Sequence, residues 1–315
     1  MTLPILLLLL AGAAFAQAPE VVFRADVRLV EVYATVLDHN GKYVEDLSRE
    51  RFEVRDNGVR QPLVAFEASQ AGLSCAVLLD TTGSMAAALA AVKNGIVRLI
   101  DEFRQNDAVA IYSFSGSLQL LQEFTSDKAA AKRAVLRTRA GGGTALFDSL
   151  SQLARELARR SGKKAIVVFT DGQDNLSMLN AGAAIARAKK VGVPIHAVAE
   201  GEALNNPSLV KELEELAQRT GGRCYRIRRS GEITAVFQDI SRELKHTYLL
   251  AYKAPPAENR QWRTIQVSVS GLKDCKLRAR ERLERRGYSK FPVGPPPNSL
   301  CSSAERSARS WHHSA

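Results

Sequence analysis

Beyond Gly72 the sequence settles into one rhythm: short apolar runs separated by stretches whose apolar residues recur at helical spacing. The runs cover residues 75–79, 109–114, 165–170, 194–199 and 224–227, and helices are expected over 85–104, 144–160, 180–191, 208–218 and 231–244. A short, continuously apolar run is what a strand buried on both faces requires. Strands that alternate with helices predict an α/β domain, a doubly wound and mainly parallel sheet covered by helices on both sides. Residues 118–124 follow the 109–114 run after only Ser115-Gly116-Ser117, so they are expected to form an antiparallel edge strand. In the first helix Leu89, Val92, Ile96 and Leu99 share one face, which reads as core packing. A sheet of this kind gathers ligands at the carboxyl ends of its strands, near the point where strand order reverses.

The flanks follow a different pattern. Residues 21–68 alternate apolar and polar side chains, with turn signals at Asn40-Gly41 and Asp56-Asn57-Gly58. That segment is too short for an independent sheet and needs partners from elsewhere. The partners come after Leu244, where HTYLLAYK, WRTIQVSVSG and KLRARERL restore the strand rhythm. The expected organisation is therefore a small β-sandwich built from residues 20–70 and 245–288, with an α/β domain at 73–244 inserted into it. Residues 289–315 are rich in Pro, Ser and charge and read as a disordered tail.

Residues 1–16 hold an apolar run closed by Ala14-Phe15-Ala16, the pattern of a secretory signal peptide cut before Gln17. Export to the periplasm, the envelope or the medium is the expected destination. An exported chain permits disulfides, but the pairing of Cys224, Cys275 and Cys301 is left open, whereas Cys75 lies in an apolar run and reads as a buried small hydrophobe. The formal net charge of +11 is unevenly placed. Lys and Arg balance Asp and Glu at 25 to 25 through Gly222, then exceed them by 19 to 8. The sparse aromatic residues of the basic third supply no stacking platform, so no nucleic-acid partner is expected. The stretch KLRARERLERR reads as a solvated strand edge, or as a contact for an anionic envelope surface through Arg278, Arg280 and Arg282.

The chemistry concentrates in three segments of the neutral portion. Asp80-Thr81-Thr82-Gly83-Ser84 ends the first α/β strand, so that Asp80, Thr82 and Ser84 face one point across an extended turn. Gly141-Gly142-Gly143-Thr144 places a hydroxyl on a loop whose backbone approaches closely, just ahead of a helix. Asp171 follows a central strand in the sequence FTDGQDN. All five are hard oxygen donors suited to Mg²⁺, and also to Ca²⁺ or Mn²⁺. Any one of these segments alone is ordinary turn and N-cap chemistry; their order and their strand-end positions make the set a candidate metal site.

Together the three segments resemble the von Willebrand factor type A (VWFA) domain with its metal-ion-dependent adhesion site. The resemblance covers residues 73–244, with Thr82 where the family usually has Ser. It implies hydroxyl ligands from Thr82, Ser84 and Thr144, with Asp80 and Asp171 binding directly or through water. The flanks and the pair Gly287-Tyr288 are similar to bacterial exported VWFA-related proteins abundant in Acidobacteria. At most two formal negative charges would leave a bound cation with an open position for the carboxylate of a protein partner.

The expected function is thus a noncatalytic, metal-dependent protein-binding module. Two other readings stand beside it: an envelope component whose metal is purely structural, and a metal-dependent hydrolase. The hydrolase lacks an evident base, because His196 sits in an apolar strand and His39, His246, His312 and His313 lie outside the α/β segment, and no GxSxG elbow surrounds Ser84.

Overall fold

The computed structural model describes residues 29–171, 174–255, 262–272, 274–279 and 282–284. The expected signal peptide at 1–16, the tail at 289–315, Gly287-Tyr288 and Cys301 lie outside the described residues. Strands β1 (Leu29–Leu37), β2 (Phe52–Asp56), β3 (Val59–Gln61) and β4 (Leu63–Glu67) come first. The α/β portion follows as β5 (Leu73–Asp80), α1 (Leu89–Glu102), β6 (Ala108–Phe114), β7 (Leu118–Thr125), α2 (Lys128–Arg137), α3 (Leu146–Leu157), β8 (Lys163–Thr170), α4 (Ala181–Val191), β9 (Ile195–Glu200), α5 (Pro207–Thr220), β10 (Cys224–Ile227) and α6 (Ile233–Lys245). The chain ends in β11 (Tyr248–Lys253), β12 (Trp262–Val269), β13 (Lys276–Ala279) and β14 (Arg282–Glu284).

The central sheet has the order β10-β9-β8-β5-β6-β7. All its pairs are parallel except β6 with β7, so the antiparallel edge strand is where the short Ser115-Gly116-Ser117 link requires it. Side chains alternate across a strand, and β5 divides accordingly. Cys75, Val77 and Leu79 pack with α1, α2 and α6, including Leu89, Val92, Ile96 and Leu99. Ala76 and Leu78 turn the other way and pack with α3, α4 and α5. Cys75 is fully buried and free, and Cys224 and Cys275 are free as well.

Helix boundaries follow local chemistry. Asp127 caps α2 by accepting from the amides of Ala129 and Ala130, and Asn206 caps α5 in the same manner ahead of Pro207. Gly192 and Gly221, at φ 77 and 91, end α4 and α5 in the left-handed conformation. The first helix starts later than expected, at Leu89, because a 3₁₀ turn over Ser84–Ala86 intervenes.

The flanking strands form two four-stranded antiparallel sheets, β13-β1-β11-β4 and β14-β12-β2-β3. Each mixes strands from before and after the α/β portion. Between them lie Val32, Val36, Phe52, Val54, Tyr248, Leu250 and Ile265, with the Tyr252 hydroxyl donating to Asp56 Oδ2 at 2.8 Å. The turn at Asn57-Gly58 has φ of 51 and 79, the two left-handed residues of a tight hairpin. The third C-terminal run is two strands, β13 and β14. Arg278 stands on the edge strand β13, but its guanidinium turns from solvent onto Glu243 of α6, whose side chain is 8% exposed.

Candidate functional site

The strand order changes direction between β5 and β8: the chain runs from β5 to β6 on one side and later returns to lay β8 on the other. Their carboxyl ends leave a crevice, and Asp80 and Asp171 stand at its two walls. Asp80 is fully buried and anchored at both oxygens. Its Oδ1 accepts the Thr82 amide at 2.9 Å, and its Oδ2 accepts the Thr170 hydroxyl at 2.7 Å.

From there a line of oxygens leads outward. Thr82 Oγ1 lies 3.0 Å from Ser84 Oγ, and Ser84 Oγ donates to Asp171 Oδ1 at 2.8 Å. Thr82 and Asp171 are buried, at 1% and 3% exposure, whereas Gly83, Ser84, Gly141 and Gly142 are exposed. The crevice therefore opens to solvent at Ser84 and closes inward at Asp80.

Backbone bonds bring the glycine loop to the same place. Gly141 N donates to Thr81 O at 2.8 Å, Gly83 N to Gly142 O at 3.2 Å, and Ala145 N to Ser115 O at 2.7 Å. Gly142 has φ 86, and a Cβ there would press on Ser115 Cβ at 3.3 Å, so the approach depends on glycine. Thr144 is 4% exposed at the head of α3, with its amide held by Asn175 Oδ1 at 2.8 Å. The three sequence segments thus converge, with Asp80, Thr82, Ser84 and Asp171 joined through hydrogen bonds and Thr144 fixed on the adjoining loop.

Burial raises the Asp80 carboxyl to about 6; the Asp171 charge adds to the rise, and hydrogen bonds from Thr82 and Thr170 oppose it. Glu200, at the end of β9, is pushed up to about 7, by burial first and then by Asp171, and its Oε2 is buried without a hydrogen-bond partner. Sequence reading missed Glu200, Thr170 and Asn175. Thr170 stood next to the recognised Asp171, which was the available signal. Glu200 becomes visible only once β9 is known to lie beside β8.

A second set of contacts holds the rim. Asp174 Oδ2 accepts the Phe147 amide at 2.9 Å, and Asp148 Oδ2 accepts the Met178 amide at 2.9 Å. Beside this rim Leu176 and Met178 stand 54% and 95% exposed.

The doubly wound sheet and its crevice of hydroxyls and carboxylates define a class of α/β modules with an oxygen-lined strand-end site. Residues 75–239, just over half of the chain, match the von Willebrand factor type A domain, and the chain belongs to that family. Over 155 residues, 46% of this chain, it is 32% identical to calcium-activated chloride channel regulator 1 of Sus scrofa, spanning 16% of that protein's length. Among solved structures, proximal thread matrix protein 1 from the mussel byssus, with a zinc-occupied MIDAS motif, is 20% identical at a TM-score of 0.50. That match covers 59% of this chain and 49% of the byssus protein. A von Willebrand factor type A protein from Catenulispora acidiphila is 16% identical at a TM-score of 0.49, over 83% of this chain and 74% of that one.

Proposed function

We propose that the protein is an exported, metal-ion-dependent protein-binding module, in which Asp80, Thr82, Ser84, Thr144 and Asp171 hold a divalent cation, Mg²⁺ first among the candidates. The observation that carries this reading is the Ser84 to Asp171 hydrogen bond, which joins two strand-end loops 87 residues apart into one oxygen cluster.

The donor set fits a small hard cation. Every side-chain donor is a hydroxyl or carboxylate oxygen, and the two acids lie close enough for each other's charge to register on Asp80. When bound, the cation would supply Lewis acidity toward a carboxylate from outside. Asp80, locked by Thr82 and Thr170, would anchor the inner side, while Ser84 faces solvent at the mouth. Hydroxyls from Thr82, Ser84 and Thr144 add no charge, which preserves affinity for an acidic side chain on the partner. The zinc in the byssus protein's MIDAS motif agrees with a divalent ion in this family.

A protein partner, rather than a small molecule, is favoured by the exposed Leu176 and Met178 beside the mouth, apolar area that a docked surface would cover. The reading assigns no reaction to the site. His196 sits at the amino end of β9, opposite the strand ends that carry the site, His246 stacks on Tyr43 at 4.7 Å, and His39 lies in the turn after β1. None of these neighbours Ser84 as a base.

Export rests on the signal-like residues 1–16 and the insertion boundaries on the change of pattern near residues 73 and 244. No helix among the described residues is long and apolar enough to cross a membrane. The test pairs a Mg²⁺ titration of the wild-type protein and Asp171→Ala with a pull-down from envelope extract with and without EDTA. The reading expects thermal stabilisation by Mg²⁺ in the wild type alone, and capture of a partner that EDTA abolishes. Equal, negligible stabilisation of both proteins rejects the metal; stabilisation with EDTA-insensitive capture leaves a purely structural ion.

A further inference from the structure

At the edge of the parallel sheet opposite Asp80, a cleft of about 980 Å³ lies where the amino ends of β8 and β9 face β1, β13 and the end of α6. Its walls carry Lys163, Lys164, Lys276 and Arg278 against Glu243. Two of these cations have acidic partners: Lys164 pairs with Glu31 at 2.8 Å, and Arg278 with Glu243. Lys163, 1% exposed, donates to the carbonyls of Ser69 at 2.9 Å and Ala71 at 3.3 Å, with Asp107 and Glu67 near enough to offset part of its charge. Lys276 is exposed on the rim. Lys189 and Arg219 also line the cleft, but they stand in the last turns of α4 and α5, where they offset helix dipoles.

Two buried nitrogens on these walls have no hydrogen-bond partner. One is Nδ1 of His196, a residue only 3% exposed, and the other is Nε of Arg278. Buried polar groups are ordinarily satisfied, so a pair of orphans on one positively charged cleft marks a place made for oxygen atoms. Burial lowers His196 to about 4, so the ring is neutral near pH 7 and offers one N–H. The Lys163 ammonium falls to about 8, through burial first and then Arg104, with the charges of Asp107 and Glu67 opposing the fall.

The C-terminal residues of the chain share the sign of this cleft. Residues 285–315 carry Arg285, Arg286, Lys290, Arg306 and Arg309 against Glu305 alone, the same sign as the cleft. We propose that this cleft binds a compact multivalent oxyanion, a phosphate- or carboxylate-bearing small molecule, contacted by Arg278, Lys276 and His196. Arg278 would remain paired with Glu243 through its terminal nitrogen and direct Nε to the ligand. The site is separate from the Asp80 crevice and does not rest on the metal reading.

The full chain, kept in EDTA, is titrated with inorganic pyrophosphate and with citrate, against sodium chloride of matched ionic strength, by calorimetry and thermal unfolding. Saturable binding is expected for at least one probe, with the unfolding midpoint raised by about 3 °C at a tenfold excess over Kd. Pyrophosphate alone identifies a phosphate-bearing ligand, and citrate alone a carboxylate-bearing one. Lys276→Gln and Arg278→Gln should each weaken binding at least tenfold, while Asp171→Ala leaves it unchanged. Should Arg278→Gln fail to fold, the exposed Lys276 decides by itself. Probes that act no better than chloride, or binding unaltered in Lys276→Gln, would overturn the proposal.

Discussion

Ser84 Oγ donates to Asp171 Oδ1 across 2.8 Å and itself lies 3.0 Å from Thr82 Oγ1. The loop after β5 is thereby tied to the loop after β8 through oxygen atoms alone. Thr82→Ser keeps the oxygen and should keep stabilisation by Mg²⁺. Thr82→Val and Ser84→Ala should lose it, at a metal-free cost of about 1 kcal/mol for the broken hydrogen bond. Thermal melts with and without Mg²⁺ separate the two effects; a Mg²⁺ response surviving in Thr82→Val would remove Thr82 from the ligand set.

Gly95 of α1 faces Phe237 and Ile233 of α6. A Cβ there would come within 2.8 Å of Ile233 Cγ2 and closer still to the Phe237 ring, which is held by stacking on Phe169 at 5.0 Å. In an exposed helix Gly→Ala gains about 1 kcal/mol, but overpacking a fixed core costs about 1–3 kcal/mol. Gly95→Ala should therefore be destabilising by about 1–2 kcal/mol in urea unfolding. A gain in stability would mean that the α1 and α6 helices part easily.

His196 links stability to pH. Its folded-state pKa, lowered to about 4 by burial, lies below the unfolded value of 6.5. Between those values the unfolded chain binds the extra proton, so stability falls as pH drops through that window, by up to about 3 kcal/mol from this group. His196→Gln should show a shallower loss than the wild type between pH 6.5 and 4. Parallel stability curves for the two proteins would show that the imidazole protonates freely.

Glu243 gathers Thr35 at 3.3 Å, Tyr43 at 2.8 Å and Arg278 on one carboxylate. Glu243→Gln leaves Arg278 without its charge partner at the junction of α6 and the flanking sheets. With Arg278 31% exposed, solvent screens part of the loss, and about 2 kcal/mol is expected. A cycle with Arg278→Gln checks the assignment, since coupling between the two changes should be substantial.

The rhythm of apolar runs made the central sheet legible, because strands buried on both faces cannot be written with polar residues. The second helix, α2, escaped that reading: KAAAKRAVLR buries only Ala131 and Val135, too few apolar positions to mark a period. Asp80 and Asp171 were legible as strand-end acids. Glu200 was not, because its proximity to Asp171 depends on strand order, which periodicity does not encode. Arg278 was misread for a related reason. Alternation in KLRA suggests charges facing water, and Lys276 does so, yet Arg278 two residues on reaches Glu243 near the end of α6.

The proposed insertion of residues 73–244 makes its own prediction. A chain limited to residues 72–246 retains all six strands of the central sheet and both helical layers. It should unfold cooperatively, though at lower stability, since Lys164 loses Glu31 and Glu243 loses Tyr43 and Arg278. A chain ending at 246 should expose the apolar face of β1, which pairs with β11 and β13, and should aggregate in light scattering. A molten 72–246 fragment would show instead that the sheets fold as one unit.

Strands β4 and β11, which lead into and out of the α/β portion, are hydrogen-bonded neighbours, with Glu67 opposite Leu249. The two connecting threads therefore leave the sandwich side by side. In the proposed function, a pull on a partner docked at the Ser84 mouth would reach the flanking sheets through this twin stalk.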